Sequence, residues 1–328
     1  MPTASDVHDI PYATLEQAAE WYATFRSGAV DDDERRRWQD WLARDAGNRQ
    51  AWARVEAISQ HVAIARQTPE ASGAALHVAG AQRQRRKLLK TLALAAIGTG
   101  FGWQLARQEE VQVAFAGLNA SHRVGVGERS ETVLADGTRL WLDSGTVLDQ
   151  RFDDALRLVV LHQGEILLES GQDARRPLVV RSRQGGMRAL GTRFQVRQFD
   201  GSTRLGVSEG RVEVTPFDAH RPMLVVEAGQ EVTFTRDGIS APGALPPARE
   251  AWTRGMLIAD DLPLQDFLAE LSRYRHGFLG CDPGVARLRV VGAFPIHDTD
   301  EALAMLEAAL PVRARQVLPW WVSVGPKK

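Results

Sequence analysis

The feature that most constrains this chain is one apolar segment, residues 88–106, within a sequence of otherwise ordinary composition. A basic cluster at 83–87 runs directly into the segment, and Lys90 is its only charged residue. As a helix rising about 1.5 Å per residue, the segment would be about 28 Å long, close to the roughly 30 Å of a bilayer's hydrocarbon core. Lys90 lies near one end, where its side chain can reach the headgroups. The pattern therefore predicts a single transmembrane helix over 88–106.

Basic residues flank this segment unequally: four lie within 83–87, whereas Arg107 stands alone directly after it. The positive-inside rule then places residues 1–87 in the cytoplasm and residues 107–328 in the periplasm of a Gram-negative cell. The run from Arg85 to Lys90 also matches a twin-arginine export pattern. Two alternatives stay open. The segment could be a buried helix of a soluble domain, and its Gly98-x-x-x-Gly102 spacing could pair two copies as a homodimer.

Composition narrows the kinds of site that the chain can carry. Charged residues make up 25% of the sequence and hydrophobic residues 44%, as in ordinary folded proteins. Cys281 is the only cysteine, so an internal disulfide and a cysteine-based metal site are both excluded. The eight histidines include no pair at metal-binding helical spacing. We therefore predict no metal and no cofactor.

Residues 1–66 are predicted to form a cytoplasmic domain of three helices, and 67–87 a linker. Apolar residues recur there at helical spacing, and Ser27-Gly28 and Gly47-Asn48 separate the segments. Four of the nine tryptophans lie in this short stretch, more aromatic surface than a small domain readily buries. They either fill the core or form a surface for a protein partner. The candidate partner-binding residues are Trp21, Tyr22, Phe25, Trp38, Trp41, Leu42 and Trp52.

The net charge of residues 1–82 indicates whether their partner is a nucleic acid or a protein. Residues 1–82 contain 12 acidic and 8 basic side chains, a net charge of −4. A DNA-binding helical domain needs a basic face. A membrane-bound transcription factor is therefore disfavoured, direct nucleic-acid binding is not expected, and a protein partner fits better.

Residues 111–240 are dense in short strand patterns and are predicted to form an all-β domain. Runs rich in Val, Leu, Phe and Thr alternate with turn signals, as in a sandwich or a short solenoid. The expected turns lie at Asp136-Gly137, Gln163-Gly164, Asp200-Gly201 and Glu209-Gly210.

A Pro, Gly and Ala-rich break at 241–248 leads to a different pattern over 250–326. Strand and helix signals alternate there, which predicts a small α+β domain. Its first helix is predicted within 263–275 and its second within 299–310. The whole chain is thus predicted to be multidomain α plus β: helices, one membrane span, an all-β domain and a small α+β domain.

Motifs that would indicate catalysis are weak. Residues 206–210 match the G-x-S-x-G serine-hydrolase pattern, but the residues after them read as a strand, where that motif needs a helix. The Asp-Gly and Gly-Glu pairs in the β domain are explained by turns. We predict no catalytic residues. The alternative is a membrane-anchored periplasmic enzyme or envelope-binding protein, and a glycan-cleaving enzyme would need paired carboxylates at a fixed spacing.

Motifs in all three predicted domains resemble those of one family, the FecR-type transmembrane anti-sigma factors. The helical part carries Trp38-x-x-Trp41-Leu42 and Asn48-x-x-Ala51-Trp52. The β part carries Leu134-Ala135-Asp136-Gly137-Thr138, Leu190-Gly191-Thr192-x-Phe194 and Glu209-Gly210-x-Val212. The last part carries Trp252-x-x-Gly255-x-Leu257 and Leu271-Ser272-Arg273-Tyr274, and it resembles the short N-terminal domain of secretins and TonB-dependent receptors.

The resemblance implies a signalling role without catalysis. In this family a TonB-dependent outer-membrane receptor of the siderophore type contacts the periplasmic end through its N-terminal signalling domain. The cytoplasmic end then controls an extracytoplasmic-function (ECF) sigma factor, and envelope proteases can release it. The implied location is the inner membrane, crossed once. The seven N-terminal residues named above would contact the sigma factor, and the candidate receptor contacts are Leu257, Leu264, Leu268 and Leu271.

Overall fold

A computed structural model describes residues 10–26, 30–67, 120–173, 175–219 and 223–327. The chain forms two compact units. One unit combines the N-terminal helices with the C-terminal residues from 246 onward, and the other contains the β domain up to residue 245.

Three N-terminal helices are present, as expected: α1 Tyr12–Arg26, α2 Asp32–Arg44 and α3 Ala46–Gln67. Helix α2 begins with a capping box, in which the Asp31 side chain accepts a hydrogen bond from the Glu34 backbone and the Glu34 side chain accepts one from Asp31 N. Asp32, Asp33 and Glu34 occupy its first turn, where negative charge favours the helix dipole.

The β domain consists of two sheets that share one long strand, β5 Arg157–Glu169. The first half of β5 pairs with β4 and β6, and the second half pairs with β3 and β8. Apolar side chains of both sheets form one core between them. The other strands are β1 His122–Arg123, β2 Ser130–Val133, β3 Arg139–Leu142, β4 Val147–Phe152, β6 Leu178–Arg181, β7 Gly185–Ala189, β8 Arg193–Gln198, β9 Thr203–Glu209, β10 Arg211–Pro216, β11 Leu224–Glu227, β12 Gln230–Phe234 and β13 Gly243–Ala244.

Two of the predicted β turns join paired strands, and a third prediction is wrong. Gly137 and Gly201 have φ of 82° and 75° and lie in the β2–β3 and β8–β9 turns. Gln163-Gly164 is no turn, because β5 continues through it. Gly164 instead has φ of 93° and bends the strand where it passes from one sheet to the other.

The C-terminal residues form a small α+β fold. A two-stranded antiparallel sheet pairs β14 Met256–Pro263 with β16 Arg289–Pro295, and a second sheet has the order β15–β18–β17. Helices α4 and α5 pack on these sheets over a common apolar core. The remaining elements are α4 Leu264–Leu271, β15 Phe278–Cys281, α5 Thr299–Ala309, β17 Val312–Leu318, β18 Trp321–Pro326, and 3-10 helices at Pro247–Arg254 and Ser272–Tyr274.

The predicted architecture with a transmembrane helix is corrected by this structure. No helix within the described ranges is long and apolar enough to cross a membrane. The longest of them, α3, has 22 residues and includes the charged Arg49, Arg54, Glu56 and Arg66. The segment 88–106 and the linker 67–87, apart from Gln67, lie outside the described residues. What the structure supports is three N-terminal helices followed by a β-rich region.

The helices and the C-terminal α+β fold also share a hydrophobic cluster within one unit. The sequence led us to expect these two parts on opposite sides of a membrane. In the structure α1 instead lies against β17 and β18, and Trp320 and Trp321 pack with residues of α1, α2 and α3.

Candidate functional site

Four of the predicted partner-binding residues form a connected aromatic cluster between the three helices. The ring centroids of Phe25 and Trp38 are 4.9 Å apart, and those of Trp38 and Trp52 are 5.0 Å apart. Tyr22 lies 5.8 Å from Trp52, and Phe25 lies 6.0 Å from it. These rings meet edge to face or tilted, the geometry that favourable aromatic pairs adopt. All four side chains are partly buried, so the cluster reaches the surface.

The helices bring these residues together through simple spacing. Tyr22 and Phe25 are three residues apart on α1 and therefore share one face of that helix. Trp38 comes from α2 and Trp52 from α3. The Tyr22 hydroxyl lies 2.6 Å from Ser59 Oγ, which ties α1 to α3 beside the cluster.

The other three candidates play a more structural part. Trp41 is buried, and its indole Nε1 donates to Gln17 Oε1 at 3.0 Å. Its backbone oxygen accepts a hydrogen bond from Asn48 Nδ2 at 2.7 Å, so Trp41 fixes the junction of all three helices. Trp21 and Leu42 are partly buried and pack against the same core.

One polar atom in the cluster lacks an internal partner. The indole Nε1 of Trp38 is buried, and no acceptor for it exists within the described ranges. A buried donor without an acceptor costs about 1–3 kcal/mol, so an external acceptor that reached it would be favourable. The cluster therefore contains a buried hydrogen-bond donor that lacks an acceptor among the described residues, which is uncommon in a protein core.

Residues from the far end of the chain complete this site, and sequence reasoning missed them. Trp320 packs edge to face on Tyr22 with centroids 5.7 Å apart. Trp321 is fully buried and stacks on Phe278 at 3.9 Å. The Trp320-Trp321 doublet is the available sequence signal, but nothing local in it indicates a contact with residues about 300 positions earlier.

Tyr12 anchors the start of α1 on the C-terminal sheet. Its hydroxyl makes a short hydrogen bond with Ser323 Oγ. Burial raises the pKa of Tyr12 to about 12, and nearby Glu16 and Asp282 act in the same direction, while the bond to Ser323 opposes them. Tyr12 is therefore a neutral hydroxyl at physiological pH.

The candidate receptor contacts lie mainly inside the C-terminal core. Leu264, Leu268 and Leu271 are buried on the inner face of α4, and Leu257 packs partly buried against the same core. Their position shows that they hold α4 on the sheets. A role in receptor binding stays a prediction.

The carboxylates of the β domain serve local structure. Asp136 accepts hydrogen bonds from Thr138 N at 3.0 Å and Arg157 Nη1 at 2.7 Å. Burial opposes ionisation of Asp136, but the bonds from Thr138 and Arg157 outweigh it and lower its pKa. Asp153 accepts bonds from the backbone N–H groups of Ala155 and Leu156, which lower its pKa. Within the described residues no group of three or more His, Cys, Asp or Glu side chains could hold a metal ion.

Comparison with known families gives matches over two parts of the chain. Residues 120–213 match the family model described as FecR protein, and residues 16–58 match a domain of unknown function, DUF4880. The chain therefore contains a FecR domain, which bears out the resemblance seen in the sequence. The DUF4880 match includes every predicted partner-binding residue.

Solved structures show the same fold over much of the chain. Two crystal structures, at 1.65 Å and 2.50 Å resolution, are of a protein described as a candidate anti-sigma factor from Parabacteroides distasonis ATCC 8503. Each is 23% identical and covers 63% of this chain; their TM-scores are 0.53 and 0.52, with 99% and 98% of the respective chains covered. Comparison with curated proteins gave no match. At this identity the two structures show a shared fold over the part of the chain that they cover.

Proposed function

We propose that this protein is an anti-sigma factor whose helices α1–α3 bind an ECF sigma factor. The observation that carries the proposal is the aromatic cluster of Tyr22, Phe25, Trp38 and Trp52 in the helical region of a chain that also contains a FecR domain. Large aromatic side chains often dominate the energy of protein interfaces. The described residues supply no acceptor for the buried Trp38 Nε1, and a backbone oxygen of the sigma factor would satisfy this donor.

The charges around the cluster favour a protein partner with a basic surface. Residues 1–82 carry a net charge of −4, from 12 acidic and 8 basic side chains. Asp32 and Asp33 are exposed in the first turn of α2, where each also pairs with an arginine one turn later, Arg35 and Arg36. Complementary charges of this kind guide association more than they add affinity.

We further propose that the C-terminal α+β fold receives the signal, from the N-terminal signalling domain of a TonB-dependent receptor. In this proposal Leu257, Leu264, Leu268 and Leu271 act by fixing the position of α4, since three of them are buried. Association with the inner membrane and action of envelope proteases are parts of the proposal that the family resemblance implies. A homodimer is the part that rests on the Gly98-x-x-x-Gly102 spacing. Cell fractionation of the full chain tests the first of these.

The sigma-factor proposal is tested by co-purification of the full chain with ECF sigma factors of its own genome. Trp38→Ala and Trp52→Ala should each weaken binding by about 2 kcal/mol, roughly 30-fold in Kd. Trp141→Ala removes the same kind of side chain from the β domain and is the matched control. Circular dichroism shows whether each variant keeps its helices. Failure of the folded wild-type chain to bind any of these sigma factors would refute the proposal.

A further inference from the structure

Strand β17 forms one edge of the three-stranded sheet in the C-terminal α+β fold. The sheet has the order β15–β18–β17, so within the part of the chain that the structure describes β17 pairs only with β18. An edge strand presents a row of backbone N–H and C=O groups with which a strand of another protein can pair. The edge of β17 is therefore a candidate site for the addition of a strand.

The hydrogen bond of Ala314 shows which backbone groups face this edge. In an antiparallel pair, successive residues turn their N–H and C=O groups alternately toward the partner strand and away from it. Ala314 lies opposite Val324 of β18, but its N–H donates to Glu307 Oε1 of α5 at 2.5 Å and so points away from β18. The N–H of Gln316, two residues further along β17, points the same way. An added strand would therefore meet Ala314 and Gln316.

A groove lies beside this edge, between α5 and β17. Its volume of about 220 Å³ is below the roughly 300–1,000 Å³ of small-molecule sites and suits protein side chains. Four lining residues are apolar and three are polar: Leu303, Ala304, Ala314 and Val322, and Asp300, Glu307 and Gln316. Leu303 and Val322 are buried and form its floor. Because side chains alternate along a strand, an added strand would direct every second one into this groove.

The groove is acidic. Two of its lining residues, Asp300 and Glu307, are carboxylates, and none is basic. Asp300 is 83% exposed and accepts a hydrogen bond from Arg275 Nη1 at 3.0 Å, so a guanidinium fits beside it. A carbonyl of an added strand would replace Glu307 as the acceptor for Ala314 N–H. The released Glu307 carboxylate then favours a strand that carries a basic side chain.

We propose that the edge of β17 and the groove beside it bind an extended strand of a periplasmic protein. The strand carries an apolar side chain for the groove and a basic side chain for Glu307. This inference rests on the proposed function, under which that protein is the N-terminal signalling domain of the receptor. Before binding, Glu307 covers the N–H of Ala314 and so protects the edge from unrelated strands. Binding exchanges this one side-chain bond for backbone bonds along β17.

Binding of the full chain, in detergent micelles, to purified N-terminal signalling domains of TonB-dependent receptors from its own genome tests the site. Ala314→Pro removes an N–H that faces outward, a position where edge strands tolerate proline. Ala304→Trp fills the groove from the exposed side of α5. Each variant should raise Kd about tenfold or more. Glu307→Gln keeps an acceptor for Ala314 but loses the charge, and should raise Kd a few-fold and reduce its dependence on salt.

Matched variants separate binding from folding. Ala309→Trp adds the same side chain at another exposed position of α5, outside the groove, and should leave Kd unchanged. Glu301→Gln removes an exposed carboxylate of α5 that does not line the groove and is the control for Glu307→Gln. Circular dichroism and urea unfolding show whether each variant is folded, and Ala304→Trp alone carries the test if Ala314→Pro is not. In the wild-type chain, amide exchange at Gln316 should slow on binding, which reports backbone pairing directly.

The outcomes distinguish this inference from the proposed function. If a signalling domain binds the wild type and the folded groove and edge variants equally well, β17 is not the binding site, while the receptor proposal stands. Unchanged amide exchange at Gln316 in the bound complex would overturn strand addition in the same way. If no signalling domain binds the wild-type chain, the receptor part of the proposed function fails and this inference fails with it.

Discussion

Arg157 donates to Asp136 across 2.7 Å inside the β domain, with the two side chains 5% and 1% exposed. Arg157 also donates to the backbone oxygens of Gly171 and Arg176. One buried guanidinium therefore joins the β2–β3 turn to the segment before β6. Asp136 belongs to the Leu134–Thr138 motif that the sequence shares with the FecR family, so this motif has a structural role.

Replacing Asp136 with Asn should destabilise the β domain strongly. The variant leaves the Arg157 charge buried without its counter-charge, which typically costs about 3–5 kcal/mol. Urea unfolding of the full chain at pH 7 measures the loss. Glu131→Gln removes the partner of Arg139 in a pair that is about half exposed and should have little effect. Equal losses in the two variants would contradict this account.

The same pair predicts loss of stability in acid. Because the pKa of Asp136 is lowered in the folded protein, its contribution is complete above its unfolded pKa of about 3.9. The contribution disappears as the pH falls through the lower folded pKa. Unfolding midpoints measured from pH 7 down to pH 3 should fall more steeply for the wild type than for Asp136→Asn. Parallel curves would show that another group dominates.

Gly164→Ala should disrupt the bend of β5. The residue has φ of 93°, where a non-glycine residue is strained by about 1–3 kcal/mol. Its Cβ would also lie 2.4 Å from Thr146 Oγ1 and 2.6 Å from Thr146 Cα, and the second atom is backbone that cannot easily move. A drop in the urea midpoint measures the effect. Gly201→Ala shares the positive φ but meets no atom within 4 Å, and it should lose less.

Cys281 should react slowly in the folded protein. Burial raises the pKa of its thiol to about 11, and the neighbouring Asp282 acts in the same direction. Relative to an ordinary cysteine, the thiolate fraction at pH 8 is lower on the order of 100-fold. Labelling by an alkylating reagent with and without denaturant tests this, since unfolding should restore the ordinary rate. Equal rates in the two conditions would contradict the buried position.

The sequence predicted elements whose signals are local. The Asp136-Gly137 and Asp200-Gly201 turns follow from residues within two positions of each other, and the structure confirms both. Gly164 looks the same locally, yet it bends a continuous strand because Thr146, the residue before β4, packs directly against it. Strand β15, Phe278–Cys281, was not predicted, since it is four residues long and pairs in parallel with the distant β18.

In the candidate site, too, the sequence predicted the features with local signals and missed those that depend on distant contacts. Periodicity brought Tyr22, Phe25, Trp38 and Trp52 into one predicted set, and the structure places their rings together. Trp320 escaped prediction because its contact with Tyr22 depends on how a β hairpin packs on a helix from the other end of the chain. Periodicity also could not separate Trp41, which is core, from its neighbours on α2.

The shared strand β5 has a consequence for how the β domain comes apart. Its backbone N–H and C=O groups supply both sheets, so neither sheet can lose its central strand without breaking the other. Amide protons on the two halves of β5 should therefore exchange with solvent at matching rates, through one cooperative opening. A force applied at one edge of the sandwich would be carried through β5 to the opposite sheet before either sheet yields.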